Sequence, residues 1–495
     1  MTMNLSRRDF LKLTGLIAAS TALTSCAPAN RLLAPLANVA WPALSTADFL
    51  ALNRLTFGPN AEERARFAQI GLTDWIEEQL APESIDDGGC EFRLRNLGTL
   101  GMSASDLFDV SDQIFDNVDR LKVPKELRQA TLLRQVYSRR QLFEVMAEFW
   151  SDHFNISTEK GDCYYLKTVD DREVIRKNAL GSFRDLVWAS AHSPAMLVYL
   201  DNQSNQKGAP NENYARELME LHTLGVEAGY TQQDVMELAR CLTGWTVKEH
   251  FWRGQFTFDV KVHDTGAKHV LSVDIHEAGQ AEAERVIERL TESPAAARFV
   301  STKLARRFLA DEPPAEIIDK AAQTFERTHG DIRAVLRVIL LDGLPLAQPK
   351  YKRPNNFIAS ALRALNAETD GNDATQDYLL RMGQVPFLWP TPDGYPDRAQ
   401  AWQGNLMPRW QFAFALARNE IKGTEIDLPK LMETVGAQTT EDSADQLASL
   451  LLGSPLEPSA RDELLTALRS AGADETESLN IFTAGILSSP AFQWR

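Results

Sequence analysis

The amino-acid sequence predicts a mainly α-helical fold, in which one large multi-helix domain carries a small inserted β-hairpin near residues 255–275. Apolar side chains recur at helical spacing through most of the 495-residue chain. Residues 256–262 alternate between apolar and polar side chains instead, and the turn-like residues 264–268 separate them from a second apolar run. No linker or low-complexity tract interrupts residues 45–495, so one helical domain is favoured over two.

The most regular helical pattern begins at Pro124. Apolar side chains there recur at three-, four- or seven-residue steps, which marks the buried stripe of one long helix. The stripe consists of Leu132, Val136, Phe143, Met146, Trp150 and Phe154. Two more helices are predicted over residues 170–191 and 211–225. A fourth begins at Thr231, where Asp234 stands at the position that completes a capping box.

The other predicted helices are shorter. Two near the start cover residues 62–70 and 73–80, with Gly71 between them. After the hairpin, helices are predicted over residues 281–292, 294–309, 316–328 and 332–341, from Asn355, over residues 409–419 and in two C-terminal segments. Residues 383–405 form a loop rich in proline, glycine and aromatic side chains. A loop of this length predicts either a functional role or a packed Ω-like loop.

The N-terminus resembles an export signal. Residues 6–12, which contain Arg7 and Arg8, match the twin-arginine pattern. The mostly apolar residues 13–25 have the length of a signal-peptide core and are too few to span a bilayer. We therefore expect residues 1–25 to be a twin-arginine signal peptide, and the twin-arginine translocase to be a partner during export.

Cys26 closes this segment in a sequence that resembles a lipobox. Lipidation of the new N-terminal cysteine would anchor the protein to a membrane. Cleavage by the ordinary signal peptidase, with Cys26 lost or inert, is the alternative. The favoured prediction is a periplasmic lipoprotein in which residues 26–44 tether the helical domain.

Charge and cysteine content limit the function classes. The formal net charge is −16, and such an acidic surface repels nucleic acid, so nucleic-acid binding is excluded. The remaining cysteines, Cys90, Cys163 and Cys241, are widely spaced and show no zinc or haem attachment pattern. In the periplasm they are compatible either with one disulfide or with three buried thiols.

Several motifs in a fixed order carry a family resemblance. They occupy residues 52–59, 149–154, 211–225, 242–245, 263–268, 352–354, 382–384 and 489–492. Together they resemble the bacterial family called domain of unknown function 1800. The resemblance implies export, often by the twin-arginine pathway. It also implies a possible partner, because genes of the family often lie next to genes for a second exported family that resembles phosphatases and sulfatases. It implies no established activity.

The densest polar cluster surrounds Glu217 and Glu220. At 100° per residue these carboxylates share one helix face with Arg216, a candidate ligand-binding residue. They could bind a divalent metal together with Asp152, or act as a catalytic acid/base pair. Alternatively, they form an ionic network or face water. His222 lies about 160° around the helix from Glu220, so it is expected in the core or in a contact with another helix rather than in a metal site with Glu220.

Four further side chains are candidates with equally simple structural explanations. His153 ends the long helix on its apolar stripe, and His263 stands where a strand enters a turn; both are candidate catalytic residues. Lys268 in that turn and Trp245 after the preceding helix are candidate ligand-binding residues. Core packing explains His153 and Trp245, and ordinary turn chemistry explains the sequence around His263.

Two functions are compatible with these features. The favoured one is a binding or assembly role, in which the aromatic loop and the acidic surface hold another exported protein. The alternative is a periplasmic hydrolase-like enzyme that uses a carboxylate/histidine site, with or without a divalent metal. No nucleotide-binding, kinase or serine-hydrolase motif is present.

Overall fold

The computed structural model describes residues 41–111, 121–249, 253–471 and 474–495. The predicted signal peptide, Cys26 and nearly all of the predicted tether lie outside these residues. None of the described helices combines the length and the apolar composition that a bilayer-spanning helix needs.

The predicted mainly α-helical fold is confirmed, because helices dominate the described chain and the strands form only small two-stranded sheets. The helices are α1 Thr46–Leu55, α2 Ala61–Leu80, α3 Gly88–Leu94, α4 Ala104–Ser111, α5 Lys122–Tyr137, α6 Gln141–His153, α7 Cys163–Asp170, α8 Phe183–Ala191, α9 Pro194–Tyr199, α10 Asn213–Glu217, α11 Gln232–Cys241, α12 Ala281–Thr291, α13 Pro294–Phe308, α14 Ala315–Arg327, α15 Ile332–Gly343, α16 Pro354–Ala364, α17 Asp373–Arg381, α18 Leu406–Ala417, α19 Leu428–Thr434, α20 Thr440–Leu452, α21 Pro458–Ala471, α22 Glu475–Ser488 and α23 Pro490–Gln493.

Two helices continue directly into π-helical turns. The first π-helical turn, Asp171–Arg176, follows α7, and the second, Leu218–Thr223, follows α10. Short 3₁₀ turns connect other elements, at Pro82–Ser84, Gly98–Gly101, Asn202–Ser204, Leu344–Leu346 and Ala399–Ala401. The capping box predicted at Thr231 is present at the start of α11.

The predicted single hairpin corresponds to two separate two-stranded sheets, and a third small sheet pairs residues 368–369 with residues 424–425. The strands are β1 Trp245–Val247, β2 Phe256–Phe258, β3 Lys268–Val270, β4 Val273–Ile275, β5 Glu368–Thr369 and β6 Thr424–Glu425. The alternating segment that forms β2 pairs in antiparallel fashion with the preceding strand β1. Strands β3 and β4 form a separate hairpin. Leu271 and Ser272 turn this hairpin with φ angles of 50° and 62°. Two-residue turns of this hand match the twist of paired strands, so the hairpin closes without the glycine that usually reveals it in a sequence.

The single long helix predicted from Pro124 is in fact two helices, α5 and α6. The break at residues 138–140 is stabilised by side chains that replace helical hydrogen bonds. Asp87 accepts a hydrogen bond from the Arg139 amide at 2.7 Å, and the Ser138 hydroxyl accepts one from the Arg140 amide at 3.0 Å. Because Asp87 is far away in the sequence, the apolar stripe alone did not reveal the break.

One contiguous apolar core runs from Leu52 to Phe492, so both ends of the described chain contribute to it. Of the two possibilities for the cysteines, the structure has three buried free thiols at Cys90, Cys163 and Cys241. Burial raises the pKa of Cys163 and of Cys241 to about 12, so these thiols stay protonated.

Candidate functional site

The second π-helical turn changes the geometry assumed for Glu217 and Glu220. The Leu224 amide donates to the Met219 carbonyl, five residues back, at 2.8 Å. The rotation of 100° per residue that was assumed for a regular α-helix therefore does not hold from Leu218 onward. Both carboxylates are partly exposed. Burial and the charge of Glu220 raise the pKa of Glu217, against the charge of Arg216. The closest partner of Arg216 is Glu212, at 2.9 Å.

The predicted metal set of Asp152, Glu217 and Glu220 is not assembled in this structure. Asp152 forms an ion pair with Arg353 at 2.7 Å. The Tyr230 hydroxyl is near Glu220, and burial, followed by the effect of this carboxylate, raises the pKa of Tyr230. Within the described ranges, no group of three or more His, Cys, Asp or Glu side chains is arranged to hold a metal ion.

The structure brings His153 and His222 together in the core. His153 Nε2 donates to the His222 carbonyl oxygen at 2.9 Å, and the two ring centroids are 6.2 Å apart. Burial and the positive charge of Lys303 lower the pKa of His222 to about 3, and the same two causes lower the pKa of His153. Both rings are therefore neutral and pack among aromatic side chains such as Phe154.

His263 and Lys268 form a buried ionic network that fastens the β3–β4 hairpin to the helical body. His263 Nδ1 donates to the Thr243 carbonyl at 2.8 Å, and its Nε2 lies 3.3 Å from Glu282 Oε2. Lys268 Nζ lies 2.6 Å from that same oxygen. Trp245 is fully buried against neighbouring rings. These contacts give each of the three predicted residues a structural role.

Asp152 was singled out from the sequence, but Glu144 and Glu148, with which it forms a line of carboxylates on α6, were missed. Glu144, Glu148 and Asp152 follow one another at four-residue steps, so they lie on one helix face, and we call them the carboxylate ladder. Arg176 forms a bidentate pair with Glu144, at 2.6 and 2.9 Å. Arg353 bridges the other two carboxylates at 3.0 and 2.7 Å, and Glu148 also pairs with Arg307.

The carboxylate ladder lines a small internal cavity, which we call the Asp152 cavity. Its other walls come from α5, the first π-helical turn, the start of α16 and residues 384–395 of the proline- and aromatic-rich loop. Its volume is about 30 Å³. It has room for one or two water molecules.

Several buried polar atoms in the cavity wall have no hydrogen-bond partner among the described residues. They are both amide atoms of Gln135, Nε2 of Gln384, Oδ1 of Asn355 and Nε of Arg353. All four side chains are almost fully buried. Because buried polar atoms are nearly always hydrogen-bonded in native proteins, this wall is suited to hold water or a polar ligand.

Burial and neighbouring charges separate the pKa values of two ladder carboxyls. Burial raises the pKa of Asp152 to about 6; the charge of Arg353 opposes this rise, and the charge of Glu148 adds to it. Although burial acts in the same direction on Glu148, Arg353 and Arg307 lower its pKa below the ordinary value. Near neutral pH one carboxyl therefore exchanges a proton while the other stays ionised, which is a pattern found in acid–base sites.

The raised pKa of Asp152 gives a testable dependence of stability on pH. The folded state keeps a proton that the unfolded chain loses near the ordinary value of 3.8. This stabilisation is fully present below that value and is lost as the pH rises through about 6. Between about pH 4 and 7.5, wild type should therefore lose roughly 1–3 kcal/mol relative to Asp152→Asn. Urea unfolding of both proteins measures this difference, and parallel profiles would contradict the raised pKa.

The loop of residues 383–405 packs over the cavity. This agrees with the packed loop that was one of the two alternatives predicted for it. Asn155 donates to the Trp389 and Thr391 carbonyls at 3.0 and 2.7 Å. Gly394, with φ of 72°, lies directly on the Asp152 backbone carbonyl, where a Cβ atom would overlap it. The close approach of the two backbones explains why glycine occupies this position.

These features define the chain as a mainly α-helical protein with an enclosed polar cavity built on ion-paired carboxylates. Comparison with protein families places it further: it belongs to the family described as "Protein of unknown function (DUF1800)", whose model matches residues 50–494. A search of curated proteins and a search of solved structures each found no match to the chain.

Proposed function

We propose that this chain is an exported, lipid-anchored enzyme of the hydrolase type, with Asp152 as its acid–base group. The observation that carries the proposal is the placement of Asp152 beside Glu148 and their shared Arg353 in the wall of a cavity with unpaired polar atoms. Burial raises the pKa of Asp152 there. A carboxyl with a pKa near the working pH both takes and releases protons efficiently. The paired Glu148 and Arg353 provide fixed charges beside it.

The cavity walls indicate a small polar substrate. Gln135, Gln384 and Asn355 offer amide donors and acceptors, and Tyr395 and Phe387 add aromatic surface. This mixture of a few directed polar groups with aromatic side chains is typical of small-molecule sites. Since the closed cavity holds only one or two water molecules, substrate binding requires movement of a wall.

A hydrolysis screen of the purified protein tests the proposal. Chromogenic esters, phosphates, sulfates and glycosides serve as substrates, and the metal content of each sample is measured in parallel. We expect activity that Asp152→Asn lowers by at least about 100-fold and that depends on pH with a midpoint near 6. The control is Asp264→Asn, which removes a carboxylate paired with Arg240 at 2.9 Å, outside the cavity wall. Equal activity of wild type and Asp152→Asn would refute the assignment.

The proposed location rests on the N-terminal pattern. Substitution of Arg7 and Arg8 by lysine should leave the precursor in the cytoplasm. Cys26→Ala should instead release the exported protein from the membrane fraction. Cell fractionation measures both, and export of the paired-lysine variant would contradict the twin-arginine route.

An assembly role is the second candidate, and an exposed apolar stripe on α18 favours it. Met407, Trp410 and Phe414 lie on one helix face and are 60%, 41% and 42% exposed. The aromatic loop is a poorer docking surface than the sequence suggested, because Tyr395 and Trp402 are buried. We propose that an exported phosphatase- or sulfatase-like partner would contact this stripe. Loss of co-purification in Trp410→Ser, but not in the surface variant Arg337→Gln, tests it.

A further inference from the structure

A second, larger concavity opens on the surface beside the Asp152 cavity. Its volume is about 720 Å³, which is within the usual range for small-molecule sites. It lies between the 3₁₀ turn at Pro82–Ser84, α6, the first π-helical turn and the starts of α8 and α15. We call it the basic groove, because five cationic side chains outnumber three carboxylates in its wall. The five are Arg140, Arg176, Lys177, Arg184 and Arg333.

The charge of the basic groove is opposite to that of the whole chain, which is −16. Lys177 is exposed and has no partner among the described residues. Arg184 and Arg333 are partly exposed, and they contact Glu288 and Glu83 through ion pairs that water screens. A local cationic surface on an acidic protein concentrates small anions from solution.

The Arg176–Glu144 ion pair separates this groove from the Asp152 cavity. Arg176 lines both concavities, and Glu144 lines the inner one. Two parallel hydrogen bonds of 2.6 and 2.9 Å join the guanidinium to the carboxylate. Such a fork recognises any carboxylate or phosphate of similar geometry, so an incoming anion competes directly with Glu144.

Behind this pair stands a second guanidinium that is incompletely bonded. Arg134 Nη1 is buried, has no hydrogen-bond partner among the described residues, and lies 3.8 Å from Asp171 Oδ2. Burial and the positive charge of Arg176 lower the pKa of Arg134. Arg134 lines neither concavity, so it would act on an anion bound at Arg176 only through its charge.

We propose that the ligand of the Asp152 cavity is a small organic anion with a carboxylate or phosphate group, which enters through the basic groove and displaces Glu144 from Arg176. This inference rests on the proposed function of the cavity. The displaced Glu144 side chain turns toward Arg140, which lies one helical turn before it on the groove side. Glu144 is thus a positioning residue that keeps the passage closed until an anion arrives.

Matched ligand pairs test the inference by calorimetry on the mature protein. The pairs are glucuronate and glucose, glucose 6-phosphate and glucose, and glutamate and glutamine. We expect at least one anion to bind about tenfold or more tightly than its neutral analogue, with an affinity that falls as salt rises. Arg176→Gln should remove this preference, while Arg337→Gln, which removes an exposed arginine outside both concavities, should retain it.

Glu144→Gln gives the result that a purely structural ion pair would not produce. Because the amide competes weakly for Arg176, the anion should bind several-fold more tightly, and the affinity for the neutral analogue should stay unchanged. Thermal unfolding confirms that the variant is folded, and the salt dependence in wild type is an independent readout. Neutral ligands that bind as well as anions would refute the inference and leave the enzyme proposal standing. If neither class binds and Asp152→Asn matches wild type in hydrolysis, both proposals fail.

Discussion

Arg353→Met is expected to lower the free energy of unfolding by about 3–5 kcal/mol at pH 7. Arg353 is buried and bridges Glu148 at 3.0 Å and Asp152 at 2.7 Å. Methionine keeps most of the aliphatic volume but removes the positive charge, so two carboxyls lose their shared partner in a region with little water. Urea or thermal unfolding of the variant and wild type measures the loss.

An exposed arginine provides the matched control for this variant. Arg337 pairs with Glu77 at 2.6 Å on the surface, and Arg337→Met should cost less than about 1 kcal/mol. Combining Arg353→Met with Asp152→Asn should recover part of the loss, because one of the unpaired charges is then absent. If Arg353→Met costs no more than Arg337→Met, the carboxylate ladder is not held by its arginines.

Gly394→Ala is expected to destabilise the loop over the cavity by about 2–4 kcal/mol. A Cβ atom at this position would overlap the Asp152 carbonyl oxygen, and the φ of 72° adds backbone strain. The loop must therefore move away from α6 or accept the strain. Thermal unfolding measures the cost, and limited proteolysis within residues 383–405 detects a displaced loop.

Gly383→Ala separates the steric effect from the backbone effect. Gly383 belongs to the same loop and has a φ of 83°, but nothing lies within 4 Å of its added Cβ atom. It should cost only the left-handed backbone strain of about 1–2 kcal/mol. Equal effects of the two variants would show that the contact between Gly394 and Asp152 contributes nothing to loop placement.

Local sequence patterns predicted the helical elements well, because side-chain period and capping act within one segment. The capping box predicted at Thr231 is present. At Gly71, where a helix was predicted to end, α2 has a kink. The strand pairing was less predictable. The segment that became β2 pairs with β1 on the far side of residues 248–255, and nothing in its alternation indicates that choice.

The site depended on contacts that a sequence does not display. Glu144, Glu148 and Asp152 stand at visible four-residue steps, but their arginine partners lie far away; Arg176 is 32 residues beyond Glu144, and Arg307 is 159 beyond Glu148. The face opposite an apolar stripe is usually solvated, so these carboxylates were not recognised as buried. The spacing of apolar side chains likewise did not indicate the π-helical turn after Glu217.

The central claim, that Asp152 is a protonatable group in the cavity wall, is tested most directly by titrating its side chain. Carbon-13 NMR of protein labelled at the aspartate carboxyl carbons resolves individual titrations, and the Asp152→Asn spectrum identifies the resonance. A midpoint near pH 6 is expected, since burial raises the pKa of this carboxyl. A midpoint at or below the ordinary value of 3.8 would contradict the claim, because Asp152 would then be a permanently ionised partner of Arg353.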